Sequence, residues 1–175
     1  MNTSRTRNLG RIALFAALMA VCAWIVVPAP IPFTMQTFAI FLAAAVLGGK
    51  GGVIATMVYI ALGVLGLPVF SGGKSGIGVL FGATGGYIIG FLPCVYIVGL
   101  LCEKTKKRPV LIGLSMLPGL LCDYIIGAMW YAFVFLKGEQ GFLVAITTGI
   151  LPFIIPDVLK IVLASLIAIR LQKIG

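Results

Sequence analysis

The chain has 175 residues, 61% of them hydrophobic and only 10% charged, with a net charge of +9 and a mean hydropathy of +1.20. A soluble domain is about 45–50% apolar and about 25% charged, so this chain lacks the polar surface to cover itself in water and must fold largely in lipid. Nucleic-acid binding, an obvious reading of so basic a chain, is set aside because the charges sit in short clusters flanking apolar runs, the pattern of topology signals.

In hydrocarbon every backbone amide needs an internal partner, which leaves helices or closed barrels. The apolar runs are unbroken and show no period-two alternation, which selects helices. The expectation is an all-α polytopic membrane protein, six transmembrane helices in a compact bundle, forming one integral membrane domain over residues 1–175. The first span runs from Gly10 to Val27. The preceding MNTSRTRNLGR invites a signal-peptide reading, but the run leads into PAPIP without a clear small-x-small cleavage site, so an uncleaved span is expected. The second covers Phe33 to Leu47 and, after GGKGG, the third covers Gly52 to Leu67. A Gly-rich loop, PVFSGGKSGIGVLFGATGGY (68–87), separates spans three and four. A loop of that length is commonly a lid, a binding loop or disorder, and its IGVLFG core predicts packing over a pocket. The fourth span is Gly85 to Leu101 and the fifth Val110 to Phe135. The sixth lies within Phe142 to Arg170, longer than the ~20 residues a crossing needs, and Pro152 and Pro156 predict a kink or break before its final helix.

Positive charge fixes the orientation. With the N-terminus inside, Arg5, Arg7, Arg11, Lys50, Lys104, Lys106, Lys107, Arg108, Arg170 and Lys173 are internal, Lys74 and Lys137 external, and Lys160 lies within the last span. Both termini are therefore expected on the cytoplasmic side of a bacterial cytoplasmic membrane, which puts PAPIPFTMQT and the 68–87 loop outside.

Chemistry is sparse. With no histidine and no CxxC among Cys22, Cys94, Cys102 and Cys122, no metal or other cofactor is expected. No GxxxxGK[ST] is present for ATP, and no nucleophile constellation supports an enzyme. What stands out is Asp157 and Lys160, three residues apart and so on one helical face, in PDVLKIVLASLIAIRLQ. A lone charge at mid-bilayer costs roughly 2.5–3.5 kcal/mol even on lenient scales. Pro156 suits a first helical turn and would set Asp157 at the positive end of the helix dipole, about a turn below the outer surface. Ligand recognition competes there with a structural ion pair. Thr34 and Gln36 either hydrogen-bond a polar ligand head or cap the helix after Pro32. Asp123, beside Tyr124, has no lysine at helical spacing; a ligand contact and a buried structural acid both stay open. Ala13 and Ala17, like Ala16 and Ala20, are small residues at a spacing that lets another helix approach.

Together VPAPIPFTMQTFAIFLAAAVLGGKGG, GLPVFSGGKSGIGVLFGATGGYIIGF and GILPFIIPDVLKIVLASLIA resemble the BioY family, the biotin-specific S components of energy-coupling factor transporters. Its members read PVPFTLQT, LPVFAGG…GPTGGY and Pro-Asp-x-x-Lys at matching places; Ala83 stands where the family often has proline. The resemblance implies capture of extracellular biotin under the 68–87 loop, and work with a transmembrane coupling protein and cytoplasmic ATPase subunits. It implies that Ala13 and Ala17 face the coupling protein, and that Asp157, Lys160 and Tyr87 belong to the ligand site. The ureido ring suits Asp157 and Gln36, with Thr34 and Thr84 as further polar neighbours. The tail carboxylate suits either Lys160 or Lys74, and the apolar bicycle suits Phe70, Phe81 and Tyr87. The alternatives are an S component for another vitamin or a biotin precursor, or a small ion-coupled secondary transporter.

Overall fold

The computed structural model describes residues 3–105, 108–138 and 141–174; Lys106 and Lys107 of the inner charge count lie outside the described residues, as do the side chains of Arg5 and Lys173. Helices dominate. α1 (Thr3–Trp24) leads into a two-residue antiparallel hairpin, β1 (Val26–Val27) and β2 (Phe33–Thr34), in register Val26 to Thr34. Then follow α2 (Gln36–Val64), α3 (Gly85–Lys104), α4 (Pro109–Trp130) continued by a π turn at Tyr131–Phe135, α5 (Gly141–Gly149) and α6 (Leu151–Ile174). Among the described residues five stretches are long and apolar enough to cross a bilayer. Their outward faces stay apolar, with Leu14, Val21, Leu121, Leu159 and Leu166 all exposed. Such a surface is tolerable only in lipid.

α2 takes in both the second and third expected spans, yet it is no straight rod. Gly48 sits at φ 73° and ψ −179°, outside the helical region and open mainly to glycine. The amide of Gln36 bonds the hydroxyl of Tyr59 at 2.5 Å, although a straight helix would hold residues so far apart in sequence some 34 Å from each other. A Cβ on Gly52 would lie 3.4 Å from the Cα of Ala44. The chain therefore doubles back at Gly48 and its two arms pack side by side. Both freed helix ends at the bend find partners. The Gly49 N–H donates to Glu103 Oε1 at 3.0 Å, and Gln172 Nε2 donates to the carbonyl of Ala45 at 2.6 Å.

α2 packs against α1, α3 and α6, and α3 against α4. The α3–α4 seam is narrow because Gly86 and Gly90 lie directly against Trp130 and Asp123, leaving no room for a Cβ. Between α2 and α3 the Gly-rich segment forms two 3₁₀ turns, Ser71–Gly73 and Ile77–Phe81. It is tied down at several points: Trp24 Nε1 donates to Pro68 O at 2.9 Å, Gly76 N to Gly63 O at 2.8 Å, and Trp130 Nε1 to Gly82 O at 3.2 Å. α3 begins at Gly85, where the fourth span was expected to begin, so the last three residues of the 68–87 segment are helical.

The last span has the expected break before its final helix, but its place and the position of Asp157 in that helix differ from expectation. The break falls at Ile150, ahead of both prolines, and α6 starts at Leu151. Pro152 thus occupies the first turn, where its missing N–H costs nothing, while Pro156 is inside the helix. Asp157 is the seventh residue of α6, nearly two turns from its start, so the helix terminus does not hold its charge. Other side chains do.

Candidate functional site

A cavity with about 530 Å³ of empty space, counting its mouth, opens where the β hairpin, the start of α2, the Gly-rich segment, α3, α4 and α6 converge. Its polar wall is Thr34, Gln36, Thr37, Ser71, Thr84, Asp123, Tyr124, Asp157 and Lys160, and its apolar wall includes Tyr87, Ile88, Phe91 and Phe153.

Asp157 is 2% exposed and Lys160 3%. Their 2.7 Å ion pair is embedded in a closed network. Asp157 Oδ1 accepts from Lys160 and from Thr37 Oγ1 at 2.8 Å, and Oδ2 accepts from the Tyr124 hydroxyl at 2.6 Å. Lys160 places its other two protons on the Thr34 carbonyl at 2.6 Å and on Thr37 Oγ1 at 2.9 Å. Its ammonium also lies 4.0 Å from the centroid of the Phe33 ring, itself stacked on Phe153. The β hairpin accounts for part of this: it turns the Thr34 carbonyl and the Phe33 ring toward α6. Burial desolvates both charges, and the ion pair together with a partner for every ammonium proton offsets a penalty that an unsatisfied pair would bear in full.

Thr34 and Gln36 serve two purposes. The Thr34 hydroxyl donates to Gln36 Oε1 at 2.7 Å and accepts from the Gln36 backbone N–H at 3.3 Å, a local cap, while both residues line the cavity. Thr84 precedes α3 without a side-chain cap bond and also borders the cavity. Tyr87 lines it too, with its hydroxyl on the Gly149 carbonyl at 2.8 Å. Three expected residues stand elsewhere. Phe70 is fully buried behind the wall, edge-on to Tyr59 at 5.8 Å, so it anchors the segment that presents Ser71. Lys74 borders a separate outer chamber. Phe81, named with the aromatic walls, is exposed at 65%.

Asp123 is 1% exposed, and its Oδ1 has no hydrogen-bond partner; Ser71 Oγ is the other such buried side-chain atom among the described residues. Both line this cavity. Orphaned buried polar groups cost about 1–3 kcal/mol each, so their gathering at one cavity marks a place built for a polar guest. Sequence spacing left Asp123 open and did not single out Tyr124, Ile88, Phe91 or Phe153 as site residues. A signal for α3 existed: Thr84, Ile88 and Phe91 follow one helical face.

The family model for the BioY family matches residues 1–175. The chain belongs to the BioY family. Its BioY relatives include the biotin transporter BioY of Thermotoga maritima, 42% identical over 169 residues and covering 96% of this chain and 97% of that protein. The probable biotin transporter BioY of Pyrococcus horikoshii is 44% identical over 170 residues, covering 96% and 98%. A crystal structure of the S-component for biotin from an ECF-type ABC transporter superposes with a TM-score of 0.91 at 28% identity, covering all of this chain and 95% of that one. Membership makes this BioY protein a multi-pass membrane transporter component, not an enzyme.

Proposed function

We propose that the chain captures biotin from outside the cell as the membrane-embedded S component of an energy-coupling factor importer, holding it in the cavity beneath the Gly-rich segment. The observation that carries this is the match between unfilled acceptors and ligand. A ureido ring offers two N–H donors, and the cavity wall offers the orphaned Asp123 Oδ1 together with Asp157 Oδ2, which accepts a single bond from Tyr124. The ureido carbonyl meets the second Nε2 proton of the Gln36 amide, the first being on Tyr59, and Tyr87, Ile88, Phe91 and Phe153 wall the apolar bicycle. Thr34 and Thr84 close the polar rim.

The doubling-back at Gly48 supports six crossings rather than five, α2 supplying two. With an even number of crossings both termini lie on one side, and the charge distribution makes that side the cytoplasm. A cytoplasmic membrane location follows, with the segment 68–87 facing out. Ala13 and Ala17 are exposed on α1 while Ala16 is buried within the bundle. The exposed pair fits close approach of a helix from a transmembrane coupling protein, which cytoplasmic ATPase subunits would drive.

The test is calorimetric titration of purified protein with biotin, repeated on Asp157→Asn with thermal unfolding as a check on folding. Tight binding in the parent, weakened at least tenfold (about 1.4 kcal/mol) in a folded variant, is expected. A folded parent that ignores biotin rejects the ligand; a variant that binds as tightly as the parent removes Asp157 from the site.

A further inference from the structure

We propose that a groove on the outside of the bundle, between α4 and α6, binds an anionic glycerophospholipid, with one acyl chain in the groove and the phosphate at Arg108 and Arg170. The groove has about 840 Å³ of empty space including its open mouth. Gly113, Leu114 and Leu117 line it from α4, and Val158, Val162 and Leu166 from α6. It runs from Pro109 to Leu117, about 12 Å along α4, less than half of a ~30 Å hydrocarbon core. α4 starts at Pro109, so this is the half of the membrane next to the basic cluster that precedes it. Naming that half the inner leaflet rests on the topology proposed above.

The groove itself suits hydrocarbon. Its one polar side chain is Ser165, whose hydroxyl already donates to the Val162 carbonyl at 2.8 Å. Its depth comes from the side chain that α4 lacks at Gly113. A Cβ there would lie 3.5 Å from Ile161 Cγ2 and 3.8 Å from Ser165, ordinary contacts, and anything longer would occupy the groove.

The end of the groove is cationic. Arg108 immediately precedes Pro109, and Arg170 stands one turn beyond Leu166 on the same face of α6. Both are exposed, and among the described residues neither has an ion pair or a side-chain hydrogen bond. The chain's four acids do not answer them. Asp123 and Asp157 line the ligand cavity, Glu139 falls in the connection beyond the far end of α4, and Glu103 accepts the Gly49 N–H. An apolar cleft between membrane helices with unanswered cations at its mouth is complementary to a lipid with an anionic head. α4 also opens without a side-chain cap, which leaves its first free amides to a phosphate oxygen. A second copy of the chain in the same orientation would bring like charges to the same depth, and an uncharged helix would leave both arginines unanswered.

The experiment is native mass spectrometry of the full chain in neutral detergent, titrated with phosphatidylglycerol and with phosphatidylcholine of identical acyl chains. It is repeated on Arg108→Gln/Arg170→Gln, on Gly113→Leu, and on Arg11→Gln/Lys50→Gln, which removes the same charge from α1 and α2. Thermal unfolding checks that each variant folds; both arginines of the first are exposed, so its fold is not at stake. The parent should prefer phosphatidylglycerol at least fivefold. Loss of Arg108 and Arg170 should bring the ratio near unity, Gly113→Leu should weaken both lipids at least fivefold, and loss of Arg11 and Lys50 should leave the preference in place. A parent without preference overturns the proposal, as does a preference that survives without Arg108 and Arg170 or that falls equally without Arg11 and Lys50. Lipid binding indifferent to Gly113→Leu removes the acyl chain from the groove. Detergent has no sides and the titration contains no biotin, so none of these outcomes bears on the topology or on the ligand.

Discussion

The residue that best separates stability from function is Asp123. Its buried, unpartnered oxygen is a standing cost in the empty protein. Replacing it with leucine, of similar shape, removes the orphan. Asp123→Leu is accordingly expected to raise the stability of the ligand-free protein by about 1 kcal/mol while weakening biotin binding more than tenfold. Thermal unfolding in detergent with and without biotin checks both halves. A variant that loses stability and keeps its affinity shows a structural acid. Asp157 behaves differently, since Thr37, Tyr124 and Lys160 all depend on it. Removing Lys160 alone strands a buried carboxylate, at about 3–5 kcal/mol. Asp157 and Lys160 were conspicuous in sequence as charges in an apolar run. Tyr124 was not, because a tyrosine in a membrane helix is ordinary until the helix opposite supplies an acceptor.

At the scale of elements, α1 and α2 show what periodicity can and cannot give. Hydropathy found the apolar runs, but not that the second begins at Gln36 after Phe33 and Thr34 have been drawn into a β hairpin. That hairpin depends on pairing with Val26 and Val27, a contact that no local pattern encodes. Ala13 and Ala17 were legible as a small-residue pair, yet so were Ala16 and Ala20; only packing shows that Ala16 is buried and the first pair faces outward. Introducing leucine at both Ala13 and Ala17 should cut biotin uptake at least tenfold in cells that supply coupling and ATPase subunits. Biotin binding by the purified variant should stay within about twofold of the parent, a difference under about 0.4 kcal/mol. Uptake and titration, run on the same variant, decide it; undiminished uptake means that this face of α1 carries no partner.

For the whole molecule, the bend at Gly48 makes a testable topology. In a background lacking the four native cysteines, Lys74→Cys should react with a membrane-impermeant maleimide in intact cells, and Lys50→Cys only after the membrane is opened. Equal labelling of both from outside contradicts the six-crossing arrangement. By itself the sequence determined the solvent, the helical class, the side preference of the charges and the two ionisable residues that a lipid-bound chain would not keep idly. These are properties of composition and of near neighbours, whose free energies add along the chain. It did not determine that α6 begins well before Asp157, that Phe70 lies behind the cavity wall, or that Asp123 meets open space while Asp157 is encircled. Those outcomes depend on which helix faces meet, and the close approaches of Gly86 and Gly90 to α4 that fix those faces are three-dimensional coincidences between distant segments.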